Sequence, residues 1–476
     1  MMAKKPNILM ILSDQHRYDC VGFSDAYPVK TPNLDKLAEE GVWFENAYTT
    51  IPTCCPARMS LIAGRRPESF GAYWNYDITL PIKTLEPSEY SWIRDLLENG
   101  YNTGWIGKWH INPDHGAEEF GYTDVINSER EYLAKYGSRY HNKDFSWMGW
   151  EENCDLEDTH TAFLAKLTND KLEELSSKDE PWLLSVNFEE PHPPYVPHKD
   201  FAAMYKPENI PQWTGFEDDF LNKPYIQKQQ LVNWNMQDYT WQDWAPAVAR
   251  YYAIVSETDY AIGKMLNKLK ELGLEEDTII IYSSDHGDMC GSHRMFDKHY
   301  ILYEDVTHVP LIIKYGSKLI PKKTKDYTVH FLDLVPTILE MTGVPCSAKE
   351  LHGRSLVPAL EGNTPKDWPQ EAVTTYNGQQ FGLYNQRCIK TDNFKYVWNL
   401  TDIDELYDLQ KDKGELINLI DEPAYTETLT ILRKRLYEIL VQQKDYLSCR
   451  TNVWAANIQL LEQRKLGNIN TLELKK

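Results

Sequence analysis

Short apolar runs recur along the first three-quarters of the chain, and polar residues follow each run. An uninterrupted run of this kind is typical of a strand that is buried on both faces of a parallel sheet. The predicted strands are residues 7–12, 103–106, 182–188, 278–282 and 309–313.

Segments with apolar residues at helical spacing separate these runs. One helix is predicted from Asn33, as its N-cap, to Gly41, as its stop signal. Two others are predicted over residues 247–272 and 331–339, the second with Pro336 near its first turn. Because strands and helices alternate, the sequence predicts an α/β fold with a large, mainly parallel sheet sandwiched by helices.

The composition shifts near residues 358–369 to Gly, Asn, Pro and charged residues, which predicts a domain boundary. Beyond it we expect a smaller α+β subdomain, with strands over residues 372–376, 387–391, 394–398 and 405–409 and a helix over residues 426–441. The predicted units are a catalytic domain (1–365), a C-terminal subdomain (366–446) and a C-terminal extension (447–476).

The charge and the cysteines limit the classes of partner. The 476 residues carry a net charge of −21, which argues against nucleic-acid binding. No stretch is apolar and long enough to span a membrane, and the first run ends at Asp14, a candidate ligand, so it does not read as a cleaved signal. The eight cysteines show neither metal-site spacing nor a dense framework, which favours reduced thiols. Because neither a signal peptide nor a membrane span is seen, a cytoplasmic location is expected.

Residues 54–58, Cys-Cys-Pro-Ala-Arg, are the most informative segment, and an apolar helical stretch and Gly-Arg follow them. Pro56 suits the first turn of a helix, so Cys54 is expected just ahead of a helix N-terminus, where the dipole favours an anion. Arg58 would lie one turn further on and reach back to the same place. The alternative is that both cysteines are buried apolar fillers.

Acidic residues end two of the predicted strands. Asp14 follows the first run, and Asp285 and His286 follow the run over residues 278–282. Open α/β sheets bind ligands at the carboxyl ends of their strands. The sequence therefore predicts a metal site at this edge.

Four further cationic or titratable residues follow strand-like runs or the Asp-His pair. They are Lys108, His110, His192 and Lys298, the last within the segment Phe296-Asp297-Lys298-His299. Each alone is a weak signal, because a lone Lys or His is commonly a hydrogen-bonded bystander. Their combination with the cysteine segment is specific.

From residue 7 to about residue 440, this combination resembles the type I, formylglycine-dependent sulfatases of the alkaline phosphatase-like superfamily. The resemblance implies that fold, with antiparallel strands and one helix in the C-terminal subdomain. It implies that Cys54, not Cys55, is oxidised by a formylglycine-generating maturation enzyme. The hydrated aldehyde would then be the nucleophile. One divalent metal would be held by Asp14, Gln15, Cys54 in its modified form, Asp285 and His286.

The resemblance also implies roles for the remaining residues. Arg58 and Lys108 would stabilise the nucleophile, and Lys108 and Lys298 would neutralise charge on the sulfate. We assign the protonation of the leaving alcohol to His192. We assign to His110 the removal of a proton from the second hydroxyl of the hydrate.

Two departures from the common pattern leave alternatives open. Gln15 stands where many sulfatases have a second Asp, and His286 stands where many have Asn. Ca²⁺ is the expected metal, with Mn²⁺ or Zn²⁺ as alternatives because imidazole suits them. The expected substrate is a sulfated sugar or an aryl sulfate. Relatives with these variants cleave phosphonate monoesters and phosphodiesters, which is the second interpretation, and an inactive sugar-binding relative is the third. The oligomeric state stays open.

The segment 211–244 is rich in aromatic and amide side chains, including Trp213, Trp234, Trp241 and Trp244. It is either a packed insertion or one wall of the substrate cleft. The segment 73–76, soon after the cysteine segment, would contribute similarly.

Overall fold

The structure is a computed structural model that describes residues 5–77, 80–138, 145–298, 300–363, 365, 367–379 and 382–448. His299 lies outside the described residues. So do Cys449 and the rest of the predicted C-terminal extension from residue 449 onward.

Twelve strands occur among the described residues. They are β1 (Asn7–Asp14), β2 (Val42–Tyr48), β3 (Asn102–Gly107), β4 (Asp124–Ile126), β5 (Trp182–Pro191), β6 (Thr278–Ser284), β7 (Leu311–Tyr315), β8 (Lys322–His330), β9 (Glu371–Gln379), β10 (Gly382–Thr391), β11 (Phe394–Asn399) and β12 (Glu405–Asp408).

Twelve α-helices also occur among the described residues. They are α1 (Pro32–Glu40), α2 (Cys54–Ala63), α3 (Trp92–Glu98), α4 (Ser128–Tyr136), α5 (His160–Ser176), α6 (Lys199–Ala202), α7 (Tyr225–Asn233), α8 (Trp241–Glu271), α9 (Glu304–Thr307), α10 (Leu334–Thr342), α11 (Val357–Leu360) and α12 (Thr426–Gln442).

Eight strands form the large sheet in the order β4-β3-β5-β1-β6-β7-β2-β8. Neighbouring strands are parallel, except that β7 is antiparallel to both β6 and β2. The sheet is therefore mainly parallel, as the alternation of strands and helices predicts.

Helices cover both faces of this sheet. Successive side chains of a strand point to opposite faces. Ile8 and Met10 of β1 pack into a core with residues of α2, α3 and α10, whereas Leu9 and Ile11 pack into a second core with residues of α1, α5 and α8. The predicted layered α/β fold is confirmed.

The C-terminal strands form an antiparallel sheet in the order β12-β11-β10-β9, with α12 packed against it. Strand β9 also contacts the segment that precedes α2. The backbone N–H of Thr375 donates to the carbonyl of Thr50 at 3.0 Å, and Thr374 Oγ1 donates to that of Thr49 at 3.0 Å. The smaller subdomain thus helps to hold the entry to α2.

Three predicted helix starts are wrong. Helix α1 begins at Pro32 with Thr31 as the N-cap residue, because the Asn33 side chain instead donates to Asp259 Oδ2 at 2.8 Å. Helix α8 begins at Trp241 and not at residue 247, because Thr240 and Asp243 form a capping box there. Cys54 is the first residue of α2 and does not lie ahead of it.

The aromatic segment 211–244 packs as an insertion. Trp213 and Trp244 are buried in one hydrophobic cluster with residues of α8, and Trp234 and Trp241 pack against that cluster. Among the described residues, no helix combines the length and the apolar character that crossing a membrane requires.

Candidate active site

The carboxyl ends of β1 and β6 meet the first turn of α2 at one edge of the large sheet. Asp14 is the last residue of β1, and Asp285 and His286 directly follow β6. Because β1 and β6 are parallel neighbours, their carboxyl ends lie side by side. Cys54, the first residue of α2, faces them. The structure thus brings together four residues predicted to share a metal.

The ligand atoms of these four buried residues lie within 4.8 Å of one another. Cys54 Sγ is 3.1 Å from His286 Nε2 and 3.6 Å from Asp14 Oδ1. His286 Nε2 is 3.9 Å from Asp14 Oδ1 and 3.8 Å from Asp285 Oδ1. Neighbouring ligands of one ion have similar spacings when metal–ligand bonds are roughly 2.0–2.6 Å.

The donor chemistry of the cluster also fits a cation. The Nδ1 of His286 lies 2.9 Å from the Gly287 carbonyl and donates to it, so Nε2 is the ring nitrogen that faces the cluster. Burial, together with the nearby charge of Asp14, raises the pKa of Asp285 to about 6. A divalent ion would offset this repulsion between buried carboxylates.

Two cations flank the carboxylates. Arg58 donates through Nε to Asp285 Oδ2 at 2.9 Å and through NH2 to Asp14 Oδ2 at 3.1 Å. Lys108 Nζ is 2.8 Å from Asp14 Oδ2. Burial alone would raise the pKa of Asp14, but Lys108 and Arg58 hold it well below its usual range. Both cations therefore lie where the sequence predicts them.

A close approach of β3 and β5 places Lys108. Gly107 has a φ of 104°, and a Cβ there would lie 2.0 Å from the carbonyl oxygen of Asn187. The backbone N–H of Lys108 donates to the same oxygen at 3.0 Å. Asn187 Oδ1 accepts a hydrogen bond from Arg58 NH1 at 3.3 Å, so one residue of β5 holds both cations.

Lys298 connects the two other predicted residues of this edge. Its Nζ donates to Gln15 Oε1 at 2.7 Å and to His192 Nε2 at 2.9 Å. Asp297 Oδ1 lies 3.2 Å from the same Nζ and accepts a hydrogen bond from Gln15 Nε2 at 2.8 Å. The side-chain oxygen of Gln15 thus already binds an ammonium group, and its role as a metal ligand stays a prediction.

The hydrogen bonds of His192 fix its tautomer. Its Nδ1 lies 2.7 Å from the Pro193 carbonyl and donates to it, which leaves Nε2 to accept from Lys298. Burial and the charge of Lys298 lower the pKa of His192. His192 and Lys298 therefore act as one hydrogen-bonded pair.

His110 lies on the other side of the cysteine segment. Its Nε2 is 3.4 Å from Asp77 Oδ2, and a ligand atom of Cys55 completes a second group of three within 4.8 Å. Asn75 Oδ1 accepts from the backbone N–H of Cys55 at 2.9 Å. His110 and His192 each also hydrogen-bond to Cys54, so both residues with a predicted role in proton transfer lie beside it.

Comparison with known proteins decides the family. The sulfatase family model matches residues 6–344, and the model for the C-terminal region of N-sulphoglucosamine sulphohydrolase matches residues 291–442. An arylsulfatase of Clostridium perfringens is 32% identical over an alignment of 497 positions, gaps included, that covers 92% of this chain and 94% of that protein. The chain belongs to the sulfatase family. It is a sulfuric ester hydrolase.

Solved structures share the fold of this sulfatase. One, in complex with its substrate D-glucosamine-2-N,6-O-disulfate, has a TM-score of 0.77 at 22% identity and covers 93% of this chain and 99% of its own. The phosphonate monoester hydrolase of Agrobacterium radiobacter has a TM-score of 0.78 at 24% identity, covering 92% of this chain and 96% of its own. The predicted alkaline phosphatase-like fold is confirmed.

Three contact residues of the sulfatase were not predicted from the sequence: Asn187, Asp297 and Asp77. Asn187 lies near the carboxyl end of the predicted strand 182–188, and Asp297 precedes Lys298, so both positions were an available signal. Asp77 lies in a polar segment without such a signal.

A cavity of about 460 Å³ opens beside Lys108 and His110. Tyr76 and Trp109 line it, together with side chains that carry amides or carboxylates: Asp77, Asn112, Asn127, Glu129 and Glu189. A larger cavity of about 1080 Å³ is lined by other residues, among them Tyr18, Trp43 and His308, and by none of the predicted site residues.

Proposed function

We propose that this sulfatase hydrolyses sulfate monoesters of carbohydrates with a formylglycine made from Cys54. The observation that carries the proposal is the convergence of Cys54 with Asp14, Asp285 and His286 at the carboxyl edge of the sheet. The hydrated aldehyde would supply the attacking hydroxyl, and a second hydroxyl from which the aldehyde can be regenerated. Conversion would need a separate maturation enzyme.

The residues around Cys54 have complementary tasks. Arg58 and Lys108, which bracket Asp14, would hold negative charge on the nucleophile. Lys298, whose Nζ donates to Gln15 Oε1, would bind a sulfate oxygen. His110 would accept the proton that leaves the second hydroxyl.

The metal would be held by Asp14, Asp285, His286 and the modified Cys54, with Gln15 as a further oxygen donor. When bound, it would polarise a sulfate oxygen as a Lewis acid. Two carboxylates and an amide oxygen favour Ca²⁺, whereas the imidazole suits Mn²⁺ or Zn²⁺. Metal analysis of the purified protein identifies the ion. Asp285→Asn should lower metal content and activity together, and an unchanged metal content would contradict the shared site.

A carbohydrate as the leaving group is supported by the cavity beside Lys108. Tyr76 and Trp109 offer aromatic faces, and Asn112 and Asn127 offer amide groups. The lining of this cavity is mainly polar, and its amide and carboxylate side chains can hydrogen-bond to the hydroxyl groups of a sugar. The fold is shared with a protein whose substrate is a sulfated glucosamine.

Two measurements test the proposal. Peptide mass spectrometry after co-expression with a maturation enzyme should find the aldehyde at position 54 and an unmodified Cys55. A screen of sulfated mono- and disaccharides should then find turnover that Cys54→Ala abolishes. Modification at Cys55, or full activity of Cys54→Ala, would overturn the proposal.

A second candidate reaction is the hydrolysis of phosphonate monoesters or phosphodiesters with the same apparatus. Gln15 and His286 favour it, because each replaces the residue that is common in sulfatases, and a phosphonate monoester hydrolase shares the fold. The ratio of kcat/KM for an aryl sulfate to that for the matching aryl phosphonate separates the two. A ratio well below one would favour the second reaction.

A further inference from the structure

Cys55, Asp77 and His110 form a second group of potential metal ligands, which shares no residue with the group around Cys54, although His110 also hydrogen-bonds to Cys54. One ligand atom from each residue lies within 4.8 Å of the others. Cys54 and Cys55 are consecutive in α2, so their side chains leave the helix in directions roughly 100° apart. The Cys54 thiol lies 3.6 Å from Asp14 Oδ1, whereas the Cys55 thiol hydrogen-bonds to His110.

The spacing within this second group suits a tetrahedral ion. His110 Nε2 and Asp77 Oδ2 are 3.4 Å apart. Two ligands at about 2.1 Å from a tetrahedral zinc ion are themselves about 3.4 Å apart. The same distance is long for a hydrogen bond, for which about 2.7–3.2 Å is usual.

The donor atoms and their surroundings favour a soft cation. A thiolate, an imidazole and a carboxylate together suit Zn²⁺ better than Ca²⁺. His110 Nδ1 is buried and has no hydrogen-bond partner among the residues that the structure describes. Asp77 and His110 also line the cavity of about 460 Å³, so an ion has a path from solvent, and Glu129 and Glu189 line the same cavity and attract cations.

We propose that Cys55, Asp77 and His110 bind one Zn²⁺ ion and that this binding reversibly inhibits the sulfatase. Three protein ligands leave a fourth position for water. The Cys55 proton is released to solvent when zinc binds. The inhibitory part rests on the proposed function, because zinc would occupy the imidazole that we assign as the proton acceptor.

Zinc binding is tested without any catalytic readout. In a Cys54→Ala background, which removes the thiol of the first group, equilibrium dialysis counts tightly bound Zn²⁺, and Co²⁺ reports thiolate ligation through its charge-transfer absorption. Adding Cys55→Ser should remove one zinc and abolish the absorption. Adding Cys388→Ser, at a buried thiol outside both groups, should change neither. Equal zinc content with and without Cys55→Ser would overturn the site.

Asp77→Asn provides a second variant that is safe for folding, because the Asp77 side chain is 55% exposed. It should weaken zinc binding at least about tenfold, since even ligand-supporting residues have effects of about that size. Unchanged affinity would overturn Asp77 as a ligand and with it the site.

Inhibition is measured on the matured enzyme in Ca²⁺-containing buffer. Micromolar Zn²⁺ should inhibit it, and a zinc-selective chelator should restore its rate. When each rate is divided by the rate of the same variant without zinc, Asp77→Asn should raise the Zn²⁺ concentration that halves the rate at least about tenfold. Binding without inhibition would overturn the inhibitory part and the assignment of His110 as base. Absence of binding would overturn the site and leave the proposed function untouched.

Discussion

Three site residues that are not glycine have a left-handed backbone. The φ angles are 69° for Gln15, 47° for His110 and 66° for Asp297. Each such conformation costs on the order of 1 kcal/mol or more and persists only where the surroundings impose it. The contacts of Lys298 with Gln15 and Asp297 are surroundings of this kind. Three of the thirteen such residues in the described part of the chain therefore lie at the proposed site.

The pairing of His192 with Lys298 makes the identity of the general acid testable. A general acid matters most when the leaving group is poor. His192→Ala should therefore slow an alkyl or sugar sulfate roughly 10²-fold more than nitrophenyl sulfate. Steady-state kinetics with both substrates measures the difference.

The matched control for this prediction is His110→Ala. That change should slow breakdown of the covalent sulfate adduct by a similar factor whatever the leaving group. Equal losses on both substrates for His192→Ala would show that His192 is not the acid, and Lys298, which donates to it at 2.9 Å, would take that role.

Much of the candidate site was predictable at the residue scale. Asp14, Asp285 and His286 end buried strands, and parallel strands bring their carboxyl ends to one edge. Asp297 and Asp77 were not predicted, because they act through partners that are distant in sequence or lie in a loop. Asp297, for example, contacts Gln15 across 282 residues.

At the scale of elements, the junction of β3 and β5 decides where Lys108 lies. Gly107→Ala would place a Cβ 2.0 Å from the Asn187 carbonyl oxygen, so the strands must move apart. We expect the variant to lose well over 1 kcal/mol of unfolding free energy and to have a lower kcat. Denaturant unfolding and steady-state kinetics measure the two effects.

Gly100→Ala is the matched control for this variant. Gly100 has a φ of 86°, but no atom lies within 4 Å of the added Cβ. Its cost should be limited to backbone strain of about 1 kcal/mol, with kcat preserved. Equal effects of the two substitutions would contradict the steric account.

Sequence patterns did not predict three strands of the large sheet, β2, β4 and β8, nor the direction of β7. Its apolar run, residues 311–313, reads as a buried strand in either direction. Direction depends on how the chain crosses the sheet, and here β7 returns antiparallel beside β6. The predicted start of α2 was wrong by a smaller amount. Pro56 was expected in the first turn with Cys54 ahead of the helix, but the helix already begins at Cys54.

At the scale of the whole molecule, the smaller sheet supports the active site from outside. Strand β9 accepts a hydrogen bond from Arg66 at the Val373 carbonyl, at 2.6 Å, and donates from Thr375 to Thr50. These contacts hold the segments on both sides of α2, the helix that begins at Cys54. Loss of the C-terminal subdomain should therefore disturb the catalytic edge, although the subdomain supplies none of the predicted site residues.

A buried ion pair in the C-terminal subdomain makes this coupling measurable. Arg387 Nε lies 2.8 Å from Asp445 Oδ2, and the two side chains are 0% and 5% exposed. Asp445→Asn leaves a buried guanidinium without its counter-charge, which costs about 3–5 kcal/mol. Because β9 ties the subdomain to the segment before Cys54, activity and the near-UV circular dichroism signal should be lost together, at a lower temperature than in the wild type.

Lys444→Gln is the neighbouring control, because Lys444 is 79% exposed and its pair with Glu350 at 3.5 Å contributes at most about 1 kcal/mol. Activity of Asp445→Asn that survives to the wild-type temperature, after an earlier partial unfolding, would show that the two sheets are independent.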